Sequence, residues 1–234
     1  MSGTLYGLGV GPGDPELLTQ KVLRVLRGLP VVAYPAPEQG ASFARSVVAS
    51  RLSPAQVEIA IRVPMTRAVA PAQAVYDRAA GEIAQHLEAG RDVGVLCQGD
   101  PFFYGSFIQI FDRLAARFPT QVVPGVSSLT ACAAAAGAPM VTRDEILTVL
   151  PATLPERALE KRLKQAESAA ILKLGRHLPK VRRILKRLRL SARATYVEHA
   201  SLASQKILPL DEADPSSAPY FSMILVRRAG KAGR

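Results

Sequence analysis

The chain has 234 residues, 48% of them hydrophobic, with two cysteines and a net charge of +11. That length suits one large domain or two small ones and buries a core without disulfide or metal staples. The apolar content excludes a disordered chain, and no apolar run reaches the ~20 residues of a membrane span.

No basic stretch leading into an apolar run opens the sequence, so no signal peptide is expected. Cys97 and Cys132 show no pairing or metal-site spacing and read as buried thiols of a cytoplasmic protein. In chain order, Thr4 to Val10 is a short β-prone run ending among glycines, and a Pro-rich stretch then leads into a helix pattern from Leu17 to Leu26. Val31 to Tyr34 predicts a strand stub. Phe43 to Leu52 and Ala72 to Ala89 carry helical periodicity, and Gly90 sits where a C-cap glycine belongs. Asp92 to Cys97 predicts a buried strand, Phe107 to Phe118 a helix, Gln121 to Val123 a strand and Ser128 to Ala136 an alanine-rich helix. Strand and helix alternate, which predicts a parallel sheet covered on both faces.

The pattern changes after Gly137. Strand-like runs follow at Ile146 to Leu150, Ala169 to Leu174, Ala194 to Glu198, Lys206 to Leu210 and Tyr220 to Val226, with helices between the first three. Only a polar turn, Asp211 to Ala218, separates the last two runs, so an antiparallel or mixed sheet is expected. The reading is two α/β domains, residues 1–141 with a mainly parallel sheet and residues 142–234 with a mixed one. The basic tail from Ala229 is expected to fray.

Charge is unevenly placed. Twelve basic and twelve acidic residues precede residue 151, against eighteen and seven after it. Such a field suits a polyanionic partner (nucleic acid, an anionic membrane or a multiply carboxylated small molecule) or serves solubility alone. The stripe Lys180, Arg182, Arg183, Lys186, Arg187 and Arg189 alternates with Val181, Ile184, Leu185 and Leu188 and reads as an amphipathic helix with a solvated basic face.

Three glycine-bearing turns follow predicted parallel strands. Gly9 to Pro15 (GVGPGDP) is not the dinucleotide fingerprint, and its prolines remove N–H donors; it suits a tight structural turn as well as a binding loop. Cys97 to Ser106 (CQGDPFFYGS) combines Gly99 for close approach, Asp100 as an acceptor and three aromatic rings. A sulfonium would welcome the carboxylate and the rings, while a turn capped by Asp100 is the plainer alternative. Val122 to Gly137 places a Pro-Gly turn before Ser127 and Ser128 at a helix start, whose N–H groups lack intrahelical partners. Turns at the carboxyl ends of parallel strands form the ligand crevice of α/β folds.

These three motifs, in this order, resemble the tetrapyrrole (corrin/porphyrin) methylases over nearly the whole chain. GDPFFYGS with LKLGRHLPKVR (Leu172 to Arg182) and YVEHAS (Tyr196 to Ser201) looks most like the precorrin-2 C20-methyltransferases of cobalamin synthesis, although Gln98 stands where an acidic residue is expected. The resemblance implies an S-adenosyl-L-methionine-dependent C-methyltransferase of two domains, a cytoplasmic homodimer with its active site in the cleft between them. Pro12, Gly99, Asp100, Tyr104, Ser127, Ser128, Leu174 and Ala200 would bind the cofactor, whose product is S-adenosyl-L-homocysteine. The substrate would be an anionic tetrapyrrole, metal-free or cobalt-bearing, and its carboxylates would meet Arg143, Lys173 and Arg176. No metal ligand set, membrane or nucleic-acid partner is expected. The alternatives are an RNA methyltransferase of the same fold, which the basic half would suit, and a non-enzymatic RNA-binding module, against which the lack of tryptophan argues.

Methyl transfer from a sulfonium is an in-line displacement that needs alignment and exclusion of water. A base is needed only to take a proton after attack. Tyr104 and Asp14 are the expected acceptors, with Asp14 equally suited to cap a helix running from Pro15 to Leu26. His86 reads as solvated, and His199 is placed to face the cleft.

Overall fold

The computed structural model describes residues 1–64 and 69–228, so the expected fraying from Ala229 lies outside the described residues. The chain divides into two compact units, Met1–Ser127 and Ser128–Arg234.

The first unit is a five-stranded parallel sheet of β1 (Leu5–Gly9), β2 (Val31–Pro37), β3 (Val57–Val63), β4 (Val93–Cys97) and β5 (Thr120–Val123), in the order β3-β2-β4-β1-β5. Helices α1 (Gln20–Gly28), α2 (Phe43–Val48), α3 (Val69–Glu88) and α4 (Phe107–Leu114) connect the strands. Alternation decides which face each side chain serves. Val93, Val95 and Cys97 of β4 join a core built on α3 and α4, while Leu96 joins one built on α1 and α2. Both faces are covered, so β4 is buried throughout.

Two local readings change. The helix expected from Leu17 to Leu26 is two pieces. One 3-10 turn, Pro15–Leu17, has Asp14 as its cap, and α1 has its own cap, with Thr19 Oγ1 accepting from the Val22 N–H at 3.2 Å. Leu18 between them is extended, so the chain bends out of the first turn. Strand β3 has no counterpart in the sequence reading. As an edge strand it buries only Ile59 and Ile61 and exposes Val57, Glu58, Ala60 and Arg62, so it lacks the continuous apolar run that marks its neighbours.

The second unit starts with α5 (Ser128–Ala135), which packs on β10 (Ser222–Arg227). The division therefore falls after Ser127, ahead of the boundary expected at residue 141. The remaining elements are β6 (Leu147–Pro151), α6 (Glu156–Gln165), β7 (Ser168–Leu172), α7 (Leu178–Arg187), β8 (Ala194–Glu198) and β9 (Lys206–Pro209). The sheet order is β6-β7-β10-β8-β9, with β6 and β7 parallel and the other pairs antiparallel. The sheet is mixed as expected, but its last two strands do not pair with each other. β10 (SMILVR) is buried along nearly all its length and takes a central place, whereas β9 (KILP) is mostly exposed and takes an edge.

α7 buries Leu178, Val181, Ile184 and Leu185. Its basic face is not merely solvated. Arg187 pairs with Glu156 at 2.7 Å and Glu160 at 2.9 Å on α6, Arg183 pairs with Glu156 at 3.3 Å, and Arg182 donates to the carbonyls of Ala213 and Asp211. α6 lies alongside α7 with its own carboxylates outward, and that placement turns the stripe into a latch.

Candidate functional site

β1, β4 and β5 are neighbours and parallel, so the three glycine turns leave the same edge of the first sheet. Gly11 and Gly99 exchange two backbone hydrogen bonds: the Gly11 N–H donates to Gly99 O at 3.3 Å, and the Gly99 N–H donates to Gly11 O at 2.8 Å. Both are left-handed, with φ of 77° and 68°, which side chains other than glycine rarely tolerate. The third turn closes on the other two. A Cβ on Gly125 would overlap the carbonyl oxygen of Gly99 and the backbone of Gly9, and one on Gly9 would overlap Gly125. Backbone of all three turns is therefore in contact at one point, where no side chain fits.

Asp100 ties this junction together. Its Oδ2 accepts from the Gly125 N–H at 3.2 Å and its Oδ1 from the Phe102 N–H at 2.9 Å. The carboxylate thus caps its own turn and bridges to the next one. Pro12 is buried beside Gly11, and Ser127 is half-buried at the end of the unit. Asp14 has one oxygen committed to the Glu16 N–H at 2.8 Å.

The aromatic cluster separates into two parts. The Phe102 ring meets Phe111 edge-on at 5.0 Å and thus belongs to α4. Phe103 and Tyr104 meet edge-on at 5.2 Å. Tyr104 is about half exposed, and its backbone is left-handed at φ 56°, a conformation costing ~1 kcal/mol in a residue with a Cβ. Burial pushes the Cys97 thiol up, and pushes that of Cys132 up to about 12. Both remain protonated at neutral pH and are poor nucleophiles.

In the second unit β7 and β8 both run antiparallel to β10, so their carboxyl ends share an edge. Lys173, half-buried at φ 59°, and exposed Arg176 follow β7; His199 at φ 48° and Ser201 at φ 72° flank Ala200 after β8. Three left-handed residues with side chains on one edge is a concentration of strain of the kind held at binding sites. Leu174 is fully buried and its side chain joins the core, so it has only backbone to offer a ligand. Ala200 is also buried. The His199 N–H donates to Phe221 O at 2.9 Å, and its Nδ1 lies 3.3 Å from Ser204 Oγ.

Not every expected residue joins these groups. Arg143 is exposed, and its neighbour Thr142 accepts from Arg227 at the other end of β10. Arg143 therefore stands at the opposite edge from Lys173 and Arg176, about a strand's length (~15 Å) away. Ser128 is exposed and opens α5 in the second unit. His86 is half-buried, not solvated: its Nδ1 is buried with no hydrogen-bond partner among the described residues, and burial first, then Arg91, pulls its pKa down.

Sequence reasoning missed two features. Glu198 is a buried carboxylate that accepts from Tyr196 OH at 2.8 Å and faces Lys206 Nζ at 3.6 Å; its signal was a lone charge inside the apolar run before His199. Gly9 and Gly125 are the contact points of the turns, a role visible only once the strands are ordered. Among the described residues, no group of three or more His, Cys, Asp or Glu could hold a metal, and no helix is long and apolar enough to cross a membrane.

Comparison with known proteins fits this geometry. The profile of a family described as Tetrapyrrole (Corrin/Porphyrin) Methylases matches residues 4–214. Precorrin-2 C(20)-methyltransferase of Sinorhizobium sp is 41% identical over 232 residues, covering 96% of this chain and 95% of that protein. Cobalamin biosynthesis protein CobIJ of Mycobacterium tuberculosis is 42% identical over 232 residues, 96% of this chain but 46% of the relative, so the chain spans about half the length of that protein. Among solved structures, a cobalt precorrin-4 methyltransferase aligns with a TM-score of 0.76 at 24% identity, covering 96% of this chain and 94% of the other. Uroporphyrin-III C-methyl transferase from Thermus thermophilus, complexed with S-adenosyl homocysteine, aligns at 0.67 and 23%, covering 96% and 92%. At such identities the structural likeness speaks for the fold.

Proposed function

The chain belongs to the tetrapyrrole methylases, and from that premise we propose that it methylates carbon 20 of precorrin-2, or of its cobalt form, with S-adenosyl-L-methionine in cobalamin biosynthesis. Support for the substrate comes from the Sinorhizobium relative, matched over nearly its full length. The observation that carries the reading is the junction of Gly9, Gly99 and Gly125, where the turns after β1, β4 and β5 pack backbone against backbone with no room for a Cβ on Gly9 or Gly125. Turns gathered in this way at the carboxyl ends of neighbouring parallel strands fit a ligand lying in the crevice beyond them.

In this reading Pro12, Gly99, Asp100 and Ser127 hold the cofactor, with Ser128, Leu174 and Ala200 adding to its seat. When bound, S-adenosyl-L-methionine supplies an electrophilic methyl on a sulfonium. The chain's own task is to fix the acceptor carbon against that methyl and keep water out. Asp100 ties the second turn to the third through its two accepted hydrogen bonds. Tyr104, about half exposed, is the residue proposed to stand at the mouth of the pocket. It and Asp14 are the proposed proton acceptors, Asp14 with one oxygen already engaged. Lys173 and Arg176 are proposed to meet substrate carboxylates, as is Arg143 from its separate edge. Exposed Ile146 and Tyr220 offer apolar surface for a homodimer, and the reading places the enzyme in the cytoplasm.

The test is methyl transfer from labelled cofactor to metal-free and cobalt-bearing precorrin-2, with RNA as control. One methyl group on the macrocycle at carbon 20 is expected. A methyl on RNA alone, or none on either macrocycle, overturns the proposal.

A further inference from the structure

A second polar feature stands on the same edge of the first sheet as the glycine turns. All five strands are parallel, so β2 and β3 end at Pro37 and Val63 on the side where β1 and β4 end at Gly9 and Cys97. In the order β3-β2-β4, the end of β3 lies two strand spacings, ~10 Å, from that of β4. There a cavity of about 550 Å³ is lined by Glu38, Arg62, Pro64, Ala74, Val75 and Arg78.

The chemistry of this lining is specific. Arg62 Nη1 donates to the carbonyls of Pro37 at 3.1 Å and Glu38 at 3.3 Å. Those neutral acceptors fix the guanidinium in place without neutralising it. Arg45 on α2, by contrast, is held by Glu58 of β3. Among the described residues, neither Arg62 nor Arg78 forms an ion pair. Among the described lining residues, two guanidiniums stand against the single carboxylate of Glu38, an excess of one positive charge. Ala74 and Val75 supply the apolar part of the lining beside Arg78. Two planar forks around one excess charge suit a carboxylate, which accepts paired N–H donors, better than a compact anion.

We propose that Arg62 and Arg78 bind a carboxylate arm of the substrate. The inference rests on the reading of that substrate as a polycarboxylated tetrapyrrole. A macrocycle lying over the glycine turns extends acidic side chains around its rim, and an anchor ~10 Å along the sheet edge is within their reach. The residues are distinct from Arg143, Lys173 and Arg176, all of which lie in the second unit.

Fluorescence titration with a stable porphyrin octacarboxylate and with the corresponding tetracarboxylate tests the site without requiring catalysis. Arg62→Ala and Arg78→Ala should each weaken octacarboxylate binding by about tenfold, the loss of one charge-assisted hydrogen-bonding partner. The double variant should lose most of the preference for the octacarboxylate, and Arg62→Lys should recover part of the affinity. Affinity for S-adenosyl-L-homocysteine should stay unchanged in all of them, which also shows that the variants fold. Equal octacarboxylate affinity in the double variant overturns the proposal, even in a protein that methylates precorrin-2. Loss of that affinity upholds the carboxylate site, even in a protein that methylates nothing.

Discussion

Asp100 is a structural tie between two turns and, in the proposed reading, part of the cofactor site. Its two oxygens accept from Phe102 and Gly125, so it joins the second turn to the third. Phe102 is exposed and water replaces that acceptor, but the Gly125 N–H is half-buried. Asp100→Ala should therefore leave the fold intact at a cost of about 1–2 kcal/mol, the range for a part-buried donor left without its acceptor. Cofactor affinity should fall by at least ~10-fold, because a displaced Gly125 loosens the junction of the three turns. Calorimetry with S-adenosyl-L-homocysteine checks this, and an unchanged dissociation constant would remove Asp100 from the site. The left-handed backbones of Tyr104, Lys173, His199 and Ser201 belong to the same scale. Each costs the fold something, and each stands in a turn at a strand's carboxyl end.

Between elements, charge does what burial cannot. α6 and α7 share a core through Leu159, Leu163, Val181 and Ile184, and outside that core Arg187 clamps Glu156 and Glu160. The hydrogen bond from Arg187 holds both carboxyls below the usual carboxylate value of 4.5. A carboxyl depressed in the folded state stabilises the fold above its unfolded value, and that contribution is lost as pH falls through the lower folded value. Melting temperature should therefore drop on acidification below about pH 5, and Arg187→Ala should lower it modestly at pH 7 and converge on the parent at low pH, which flattens the acid limb. An identical acid limb in the variant would show that the latch is not coupled to folding. Element order also explains the strand that sequence reading overlooked: β3 is an edge, and its single buried face shows only as the alternation of Glu58, Ile59, Ala60, Ile61 and Arg62.

At the scale of the molecule, the whole surplus of positive charge falls after residue 150. Ion pairs tie Arg183, Arg187 and Arg227 to carboxylates, and the surplus is what stays after every carboxylate is counted. What remains should raise the encounter rate with a polyanionic substrate. The expected result is a fall of roughly tenfold in kcat/KM between about 0.02 M and 0.3 M salt, with kcat held constant, because screening acts on approach and not on the chemical step. A flat kcat/KM across that range would assign the charge to solubility.

The amino-acid sequence by itself determined the alternating α/β class, the mixed character of the second sheet, the three glycine turns and the family. These follow from local periodicity and from residue types that a turn demands, both of which are written along the chain. Tertiary structure decided which strand became an edge, why β10 and not β9 lies at the centre, and where the chain divides. It also decided that Gly9 and Gly125 touch, that Arg143 stands apart from Lys173 and Arg176, and that Arg62 and Arg78 share a cavity. Those facts depend on which strands lie side by side, and neighbours in a sheet are set by packing between residues far apart in sequence.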